Sequence, residues 1–404
     1  MIGMDGTPEQ GVGVYRCVRI QSAMCFLLRI VVVGGFFFQG LIQPGWADDP
    51  FADVSAAPAS PVAADNSWLT DNALFRKELS TLNVWGTDAG ADAGEIYSRI
   101  SVGFEVLKRF STATETVAAF NYQGRLVYRN QVRESAADPM VRDAEAWRYE
   151  THNAYAELYN VFGEPGRFNL RAGRYYLPFG LNYATDTHAT LLQLSNDRLF
   201  GTERDWQLSA YGNVSEYFDY AAGYVFGSGA DQKMDGQSGM AVGRLGLGNA
   251  FLFEQGLEAG ASLAYGQRLD PHLAVRHVLD TWRAGVDIRK RFDSGSGPWT
   301  ITFEGAGGED DAAAVGSALL QVDWLHPARR WGVSAQHVYL DRETHAVSHG
   351  AAPDERAMLV VTRYLRNDVG NAGLHWVAVG VERQVQLPAG GEDTLVAVQY
   401  YRYW

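Results

Sequence analysis

The sequence is poor in cysteine and lysine, and both shortages limit what the protein can be. Its two cysteines, Cys17 and Cys25, lie near the N-terminus, so the rest of the chain has no disulfide, cysteine-ligated metal or cysteine nucleophile. Only four lysines are present, and the net charge is −13. A protein that binds nucleic acid needs a basic surface, and we therefore expect no nucleic-acid partner.

Long apolar runs are missing too, with one exception over residues 24–43. This run carries Arg29 and is followed by a Pro-Gly-Trp-Ala sequence. The pattern predicts a cleaved signal peptide over residues 1–47, starting at Met1 or at Met24, and an uncleaved membrane anchor is the alternative. Because no similar run recurs, the sequence does not fit a multi-helix transporter.

Residues 48–78 are predicted to be a periplasmic linker. Residues 48–66 are rich in Ala, Pro, Ser and Asp and show no periodicity. The stretch from Ser67 to Leu79 can form a short helix capped by Ser67, the only helix that we expect in the exported chain.

Glycine, aromatic residues and alternation dominate the chain beyond this point. Apolar and polar residues alternate, as in residues 96–106, where Val102 and Phe104 share one face and Arg99 and Glu105 the other. A period of two is typical of β-strands. Sixteen such segments are predicted, over residues 79–87, 95–108, 116–130, 151–161, 166–176, 205–212, 217–227, 239–248, 256–267, 278–292, 298–307, 313–326, 330–342, 356–366, 372–386 and 393–404.

The connections between these segments alternate between short and long. This asymmetry is typical of transmembrane β-barrels, which have tight periplasmic turns and longer outer loops. We therefore predict an all-β fold, with a transmembrane antiparallel barrel of about 16 strands over residues 79–404 in the outer membrane of a Gram-negative bacterium. A soluble exported β-protein is the alternative, but many of the segments exceed the roughly five or six residues of average soluble strands.

The last segment supports the barrel prediction. Tyr400 and Trp404 lie on its apolar face, and a terminal aromatic residue on such a strand resembles the assembly signal of outer-membrane barrels. Arg402 departs from this pattern, although an arginine at the membrane interface can extend its charge into water.

The polar faces supply candidate pore-lining residues. An ion channel needs charged side chains at its narrowest part, and arginines opposite carboxylates would produce a transverse field. Simple pairing that holds the wall together is the alternative role. The candidates are Arg99, Arg125, Arg167, Arg171, Arg283, Arg289, Glu105, Glu157, Glu304 and Asp323.

Two stretches resemble one known family. Residues 171–181 resemble the G-x-x-x-x-P-F-G segment of the phosphate-selective porin O and P family, and residues 203–212 resemble its R-D-x-G-V-x-L-x-G strand start, with Trp206 in place of a smaller residue. The resemblance implies a sixteen-stranded porin, often trimeric, whose third outer loop folds into the pore. The acidic charge and scarce lysine argue against inferring phosphate as its cargo.

The matching loop in this chain is 177–204. Proline and glycine at its start would end the strand and turn the chain inward. The candidate constriction residues are Pro178, Phe179, Gly180, Asp186, His188, Asp197 and Arg198.

The sequence thus predicts a porin, a water-filled channel for passive diffusion of small hydrophilic solutes or ions, with anions among them. We expect contact with membrane lipid, a homotrimer as one assembly that the resemblance allows, no cofactor, no metal and no enzymatic activity. Two alternatives stay open. One is a barrel that acts as a structural sleeve or docks a partner, and the other is an outer-membrane barrel enzyme, although the histidines show no recognisable catalytic or metal-binding spacing.

Overall fold

The structure is a computed structural model, and it describes residues 72–86, 96–113, 115–129, 146–181, 190–227, 238–248, 256–269, 277–342, 353–368, 373–386 and 393–404. The predicted signal peptide and most of the predicted linker lie outside these residues. In the part of the chain that is described, no helix is long and apolar enough to cross a bilayer.

Sixteen β-strands account for nearly all of the described chain. They are β1 (Ala73–Gly86), β2 (Ile96–Ser111), β3 (Thr116–Arg129), β4 (Ala146–Leu158), β5 (Asn169–Tyr176), β6 (Arg204–Asn213), β7 (Phe218–Val225), β8 (Gly239–Leu247), β9 (Leu257–Leu269), β10 (Val278–Ser294), β11 (Gly297–Asp310), β12 (Ala313–Leu325), β13 (Trp331–Arg342), β14 (Asp354–Asp368), β15 (Gly373–Gln386) and β16 (Asp393–Tyr403). One short helix is found among the described residues, α1 (Ser195–Phe200), between β5 and β6.

The strands form one closed antiparallel barrel. Each strand pairs with its neighbours in sequence, and β1 pairs with β16 to close the sheet. At the closure the Lys77 amide donates to the Trp404 carbonyl at 2.7 Å, and the Trp404 amide donates to the Lys77 carbonyl at 3.0 Å. Closure leaves no unpaired strand edge, and it confirms the predicted barrel of 16 strands.

The two ends of the barrel differ in their connections. The end that holds the start of β1 and the end of β16, here called the turn end, carries the connections 112–115, 159–168, 214–217, 248–256, 295–296, 326–330 and 369–372. The opposite end, here called the loop end, carries 87–95, 130–145, 177–203, 226–238, 270–277, 311–312, 343–353 and 387–392. The longest connection, 177–203, is therefore at the loop end, as the alternation in length predicted.

The alternation in sequence becomes the two faces of the wall. Side chains that point outward are mostly apolar and exposed, and Leu263 and Tyr265 reach 68% and 76% exposure. Side chains that point inward are largely polar and buried, including Glu258 and Ser262 on the same strand. The barrel is thus inverted relative to a soluble sandwich, which buries its apolar face.

The predicted helix at Ser67–Leu79 is wrong for residues 73–79, which belong to β1. Arg76 and Glu78 point into the barrel and Phe75 points outward, so the alternation starts six residues earlier than predicted. Pairing with β2 on one side and β16 on the other outweighs local helix propensity. The helix that does form in the described chain, α1, was not predicted.

Candidate functional site

The described parts of the segment between β5 and β6, residues 177–181 and 190–203, lie inside the barrel, and the first residues make a sharp turn against the inner wall. Leu177, Phe179 and Leu181 are all buried. Gly180 has φ of +62°, a conformation that favours glycine, and its amide donates to Ser262 Oγ of β9 at 3.0 Å. Pro178, Phe179 and Gly180 lie at the start of an inward turn, and their role in a constriction stays a prediction.

Glu304 of β11 fastens both sides of this infolded loop. Its Oε2 accepts a hydrogen bond from the Leu181 amide at 3.1 Å. It accepts a second one, at 2.8 Å, from the Oγ of Ser195, which is the first residue of α1. Sequence analysis placed Glu304 in the pore lining, and the structure shows its carboxylate occupied in holding the loop.

A second attachment lies farther along the same wall, before α1 begins. The Gln193 amide donates to Gln336 Oε1 of β13 at 2.8 Å, and Gln336 Nε2 donates back to the Gln193 carbonyl at 3.0 Å. The Gln193 side chain donates to Glu382 of β15 at 3.3 Å. The loop therefore reaches from β9 to β15 along the inner wall.

The C-terminal end of α1 is held by three arginines, which we call the arginine clamp (Arg268, Arg283 and Arg342). Arg268 donates to the Phe200 carbonyl at 3.2 Å, and Arg283 and Arg342 donate to the Leu199 carbonyl at 3.4 and 3.2 Å. These carbonyls have no partner within so short a helix, and cations at a helix C-terminus are favourable. The clamp thus fixes the loop at the loop end of the barrel.

A buried carboxylate, Asp310, pairs with two of the three clamp arginines. Asp310 accepts from Arg268 at 2.7 Å and lies 2.8 Å from Arg283. Arg268, Arg342 and Asp310 were not predicted as site residues. Their position on the inward face was visible in the alternation, but their convergence on one loop depends on the path of that loop.

An apolar patch inside the barrel supports the loop between these polar contacts. Phe179 and Phe200 pack edge to face with ring centroids 5.2 Å apart. They belong to a buried cluster with Leu177, Leu199, Val225, Met240, Val242, Ala264, Ala306 and Val315. Inward apolar residues on β7–β9, β11 and β12 are therefore explained by the loop that covers them.

Gly285 of β10 makes room for Phe179, and this predicts the effect of a substitution. A Cβ at Gly285 would lie 2.8 Å from Phe179 Cζ. We expect Gly285→Val to displace the loop and to cost about 1–3 kcal/mol of stability through overpacking. Urea titration, with the folded fraction read from the gel mobility of unheated samples, measures the loss of stability. Gly295→Ala, where a Cβ would meet nothing within 4 Å, is the matched control, and equal stability of the two variants would contradict the packing.

Three predicted pore-lining arginines are paired within the wall. Arg125 Nε lies 2.8 Å from Glu78, and Arg289 Nε lies 2.7 Å from Glu258. Arg171 pairs with Glu157. Arg125 and Arg171 are buried, so these two pairs are mainly wall contacts, which was the alternative interpretation of the inward charges.

Arg171 also sits among three tyrosines. Its guanidinium carbon lies 4.9, 3.5 and 4.6 Å from the ring centroids of Tyr155, Tyr175 and Tyr211. Cation–π contacts of this kind stabilise a buried arginine. In the adjacent turn, Tyr159 donates to Glu157 at 2.6 Å, and burial together with this carboxylate raises the pKa of Tyr159 well above its usual value.

Two further predicted acids are bound by polar neighbours. Asp323 accepts from Ser334 at 2.6 Å and from Gln321 at 2.8 Å. Glu105 accepts from Asn121 at 2.6 Å and from the Tyr403 hydroxyl.

The remaining predicted residues fall elsewhere. Arg167 lies in the turn 159–168, with an exposed side chain that pairs with Glu164 at 2.8 Å, so its assignment to the pore wall is wrong. The strand that was predicted from residue 166 begins only at Asn169. Asp186 and His188 lie outside the described residues. Asp197 and Arg198 belong to α1, and only their backbone is described.

The most accessible ion pairs on the inner wall lie near β2–β4. Arg99 Nη2 is 3.1 Å from Glu150 Oε2, and Arg129 Nη2 is 3.1 Å from Glu150 Oε1, with side-chain exposures of 28%, 38% and 16% for Arg99, Arg129 and Glu150. By contrast, Arg283 of the clamp is fully buried. The infolded loop contacts the wall between β7 and β15, and the more accessible charged groups lie on the β2–β4 side.

The outward face at the end of β16 carries the predicted assembly residues. Tyr400 packs against the ring of His375 with centroids 5.2 Å apart, and Trp404 is 41% exposed beneath Arg402, whose guanidinium carbon is 4.6 Å from its ring. Their role in assembly stays a prediction.

Within the described ranges, no group of three or more His, Cys, Asp or Glu side chains is arranged so that it could hold a metal ion. Of the histidines in the second half of the chain, His337 lies 2.8 Å from Glu355, and His345 and His349 are outside the described residues.

Comparison with known proteins gives similarity at the level of structure. No family model matches the chain, and no curated protein sequence matches it. Among solved structures, OprB of Pseudomonas putida is similar at 8% identity, with a TM-score of 0.56 and coverage of 82% of this chain and 94% of that one. The anion-selective porin of Comamonas acidovorans is similar at 13% identity, TM-score 0.52, with coverage of 82% and 99%. A trimer form of the outer membrane protein OmpT of Vibrio cholerae is similar at 10% identity, TM-score 0.50, with coverage of 82% and 99%.

These similarities define the class of fold, which is the β-barrel of outer-membrane proteins. Identities this low extend to the fold alone. The neighbours include porins, whereas no sequence match supports the narrower resemblance to the phosphate-selective porin O and P family.

Proposed function

We propose that the protein is an outer-membrane porin, a water-filled channel for passive diffusion of small hydrophilic solutes or ions. The observation that carries the proposal is a polar barrel interior divided by an infolded loop, with the loop fastened to one side and accessible charges on the other. We infer that a loop held in this way narrows the lumen and leaves it open.

The cellular setting follows from the same features. Exposed apolar side chains on the outward face suit contact with membrane lipid. We infer that the turn end faces the periplasm and the loop end the outside, and that residues 1–47 are a signal peptide removed on export from a Gram-negative cytoplasm. A homotrimer is part of the proposal, consistent with the trimer form of the OmpT neighbour.

Conductance in a planar phospholipid bilayer tests the channel directly. We expect the folded protein, identified by faster gel mobility before heating, to give stepwise current increases that grow with KCl concentration. A structural sleeve or an enzyme whose barrel is plugged would fold equally well and give no steps, and that result would overturn the proposal.

A further inference from the structure

The outward face of the barrel carries cations at the turn end. Five that lie within five residues of the turn-end boundaries of their strands are here called the basic rim. They are Lys77 of β1, Lys108 of β2, Lys290 of β10, Arg363 of β14 and Arg402 of β16. Three of the four lysines of the chain are among them, and the net charge of the chain is −13. Composition therefore does not explain this concentration.

The pairing register shows that these side chains border the exposed apolar surface. Four of them are directly opposite an apolar side chain that is between 36% and 43% exposed. The pairs are Lys77 with Phe104, Lys108 with Phe120, Lys290 with Leu257 and Arg363 with Trp331. The fifth, Arg402, lies over the ring of Trp404. The basic rim is therefore the edge of the surface that suits contact with lipid.

Outward carboxylates lie at the opposite end of the barrel. Four of them are within two residues of the loop-end boundaries of their strands, namely Asp280, Glu309, Asp341 and Glu355. Acids close to the rim on β1 and β2 point inward instead, where Glu78 pairs with Arg125 and Glu105 accepts from Asn121. Near a membrane interface a charged side chain of either sign costs little. Tolerance alone therefore does not sort the charges by sign, whereas a negatively charged surface at the turn end does.

The seam between β1 and β16 brings two rim cations together. Lys77 pairs with Trp404 through two backbone hydrogen bonds, and Arg402 is opposite Leu79, so Lys77 and Arg402 are diagonal neighbours on the outward face. Side chains in such positions start roughly 7–8 Å apart, and one phosphate group between them can contact both. Among the described residues, none forms an ion pair with either side chain.

The two rim arginines are held against tryptophans. The guanidinium carbon of Arg402 is 4.6 Å from the ring centroid of Trp404, and that of Arg363 is 4.7 Å from the ring centroid of Trp331. Stacking uses the face of the guanidinium and leaves the N–H groups at its edge to donate to phosphate oxygens. Tryptophan is enriched at the depth of the lipid head groups. The stacking therefore keeps these charges where phosphates lie.

We propose that the basic rim binds the phosphates of anionic phospholipids in the leaflet at the turn end, with its principal site at the seam. The inference rests on the proposed function, which places the turn end at the periplasmic side of a membrane, and it adds a lipid partner to the channel. An anionic membrane surface attracts each nearby lysine or arginine. A zwitterionic lipid carries its own cation beside the phosphate, so the rim favours lipids with a net negative head group.

Native mass spectrometry of the folded barrel tests the rim, in nonionic detergent with equal amounts of phosphatidylglycerol and phosphatidylcholine of matched acyl chains. We expect the wild type to retain phosphatidylglycerol in excess. Lys77→Gln with Arg402→Gln should lower the ratio of retained phosphatidylglycerol to phosphatidylcholine by roughly fivefold per cation removed. Lys290→Gln with Arg363→Gln should lower it in the same direction, and this variant tests the rim away from the seam if the first does not fold.

Arg383→Gln is the matched control, because Arg383 is an outward arginine at the loop end, where it donates to Thr394 at 2.9 Å. Its lipid ratio should equal that of the wild type. Equal retention of the two lipids by the wild type would overturn the proposal, as would a fall in Arg383→Gln as large as in the rim variants. Displacement of the lipid by millimolar inorganic phosphate would show a site for free anions. A changed oligomer mass with an unchanged lipid ratio would show that the rim joins copies of the chain, and either result also overturns the proposal.

Lipid retention needs no current, so this inference and the porin proposal can fail separately. If the wild type prefers phosphatidylglycerol, the rim variants lose that preference and the bilayer shows no current steps, the porin proposal fails while the lipid site stands. If the wild type conducts but retains both lipids equally, the lipid site is overturned and the porin proposal stands.

Discussion

Replacing Arg244 by alanine is expected to destabilise the barrel by about 3–5 kcal/mol, because two buried carboxylates would lose their shared partner. Arg244 lies 3.2 Å from Asp219 and 2.6 Å from Asp287, and the three side chains are fully buried. Gly246 and Gly260 leave the space that the guanidinium occupies, since a Cβ at either position would overlap it. The site is therefore built around this cation.

The loss of stability in Arg244→Ala is measured by urea titration of the folded barrel, followed by gel mobility of unheated samples and by tryptophan fluorescence. Arg366→Ala, an exposed arginine on β14, is the control and should stay within about 0.5 kcal/mol of the wild type. Combining Arg244→Met with Asp219→Asn and Asp287→Asn should recover much of the loss, since no buried charge then remains unpaired. An Arg244→Ala barrel as stable as the control would contradict the assignment.

Removing two members of the arginine clamp is expected to release the infolded loop. Arg268→Gln with Arg342→Gln deletes two charged donors to the carbonyls of Leu199 and Phe200, each worth about 1.5–3 kcal/mol. Arg283 stays in place and keeps Asp310 paired. Loop docking should weaken by more than tenfold, and single-channel records should show larger and more variable current levels.

A chemical readout independent of conductance supports the second prediction. Ser195, which is 4% exposed, is changed to cysteine in a background with Cys17 and Cys25 replaced by alanine. Maleimide should label it slowly in the otherwise unchanged barrel and faster in the clamp double variant. Arg167→Gln, in the exposed turn 159–168, is the control. Equal labelling rates and equal current levels in all variants would show that the clamp does not hold the loop.

Strands could be predicted because the signal is local. Each wall residue faces either outward or inward, so a period of two is preserved along β10 or β13 whatever the neighbouring strands are. The first strand shows where this fails. Residues 73–79 were assigned to a helix because their alternation is too short to indicate a strand by itself. Their strand conformation becomes clear only from the pairing with β16.

For the ion pairs, the sequence predicted which charged residues point inward, but not which of them pair with each other. The alternation placed Arg125 and Glu157 inside, but it could not say that Arg125 meets Glu78 on β1 rather than an acid on its own hairpin. That choice depends on the stagger between three strands. The role of Glu304 depended likewise on a loop 123 residues earlier in the chain. The family resemblance and the residues Pro178 and Gly180 suggested that this loop turns inward, but not which wall residues it would meet.

The seam between β1 and β16 has a consequence for the order of events in folding. It joins residues such as Arg76 and Tyr403, whose hydrogen-bonded side chains are 327 positions apart. All other strand pairs connect sequence neighbours and can form as hairpins, whereas this one must wait until the intervening fourteen strands are in register. Until then β1 and β16 are edge strands with unpaired backbone N–H and C=O groups, and each can pair with a strand of another chain. Interruption of synthesis or a delay before β16 would therefore endanger the protein more than most changes within the wall.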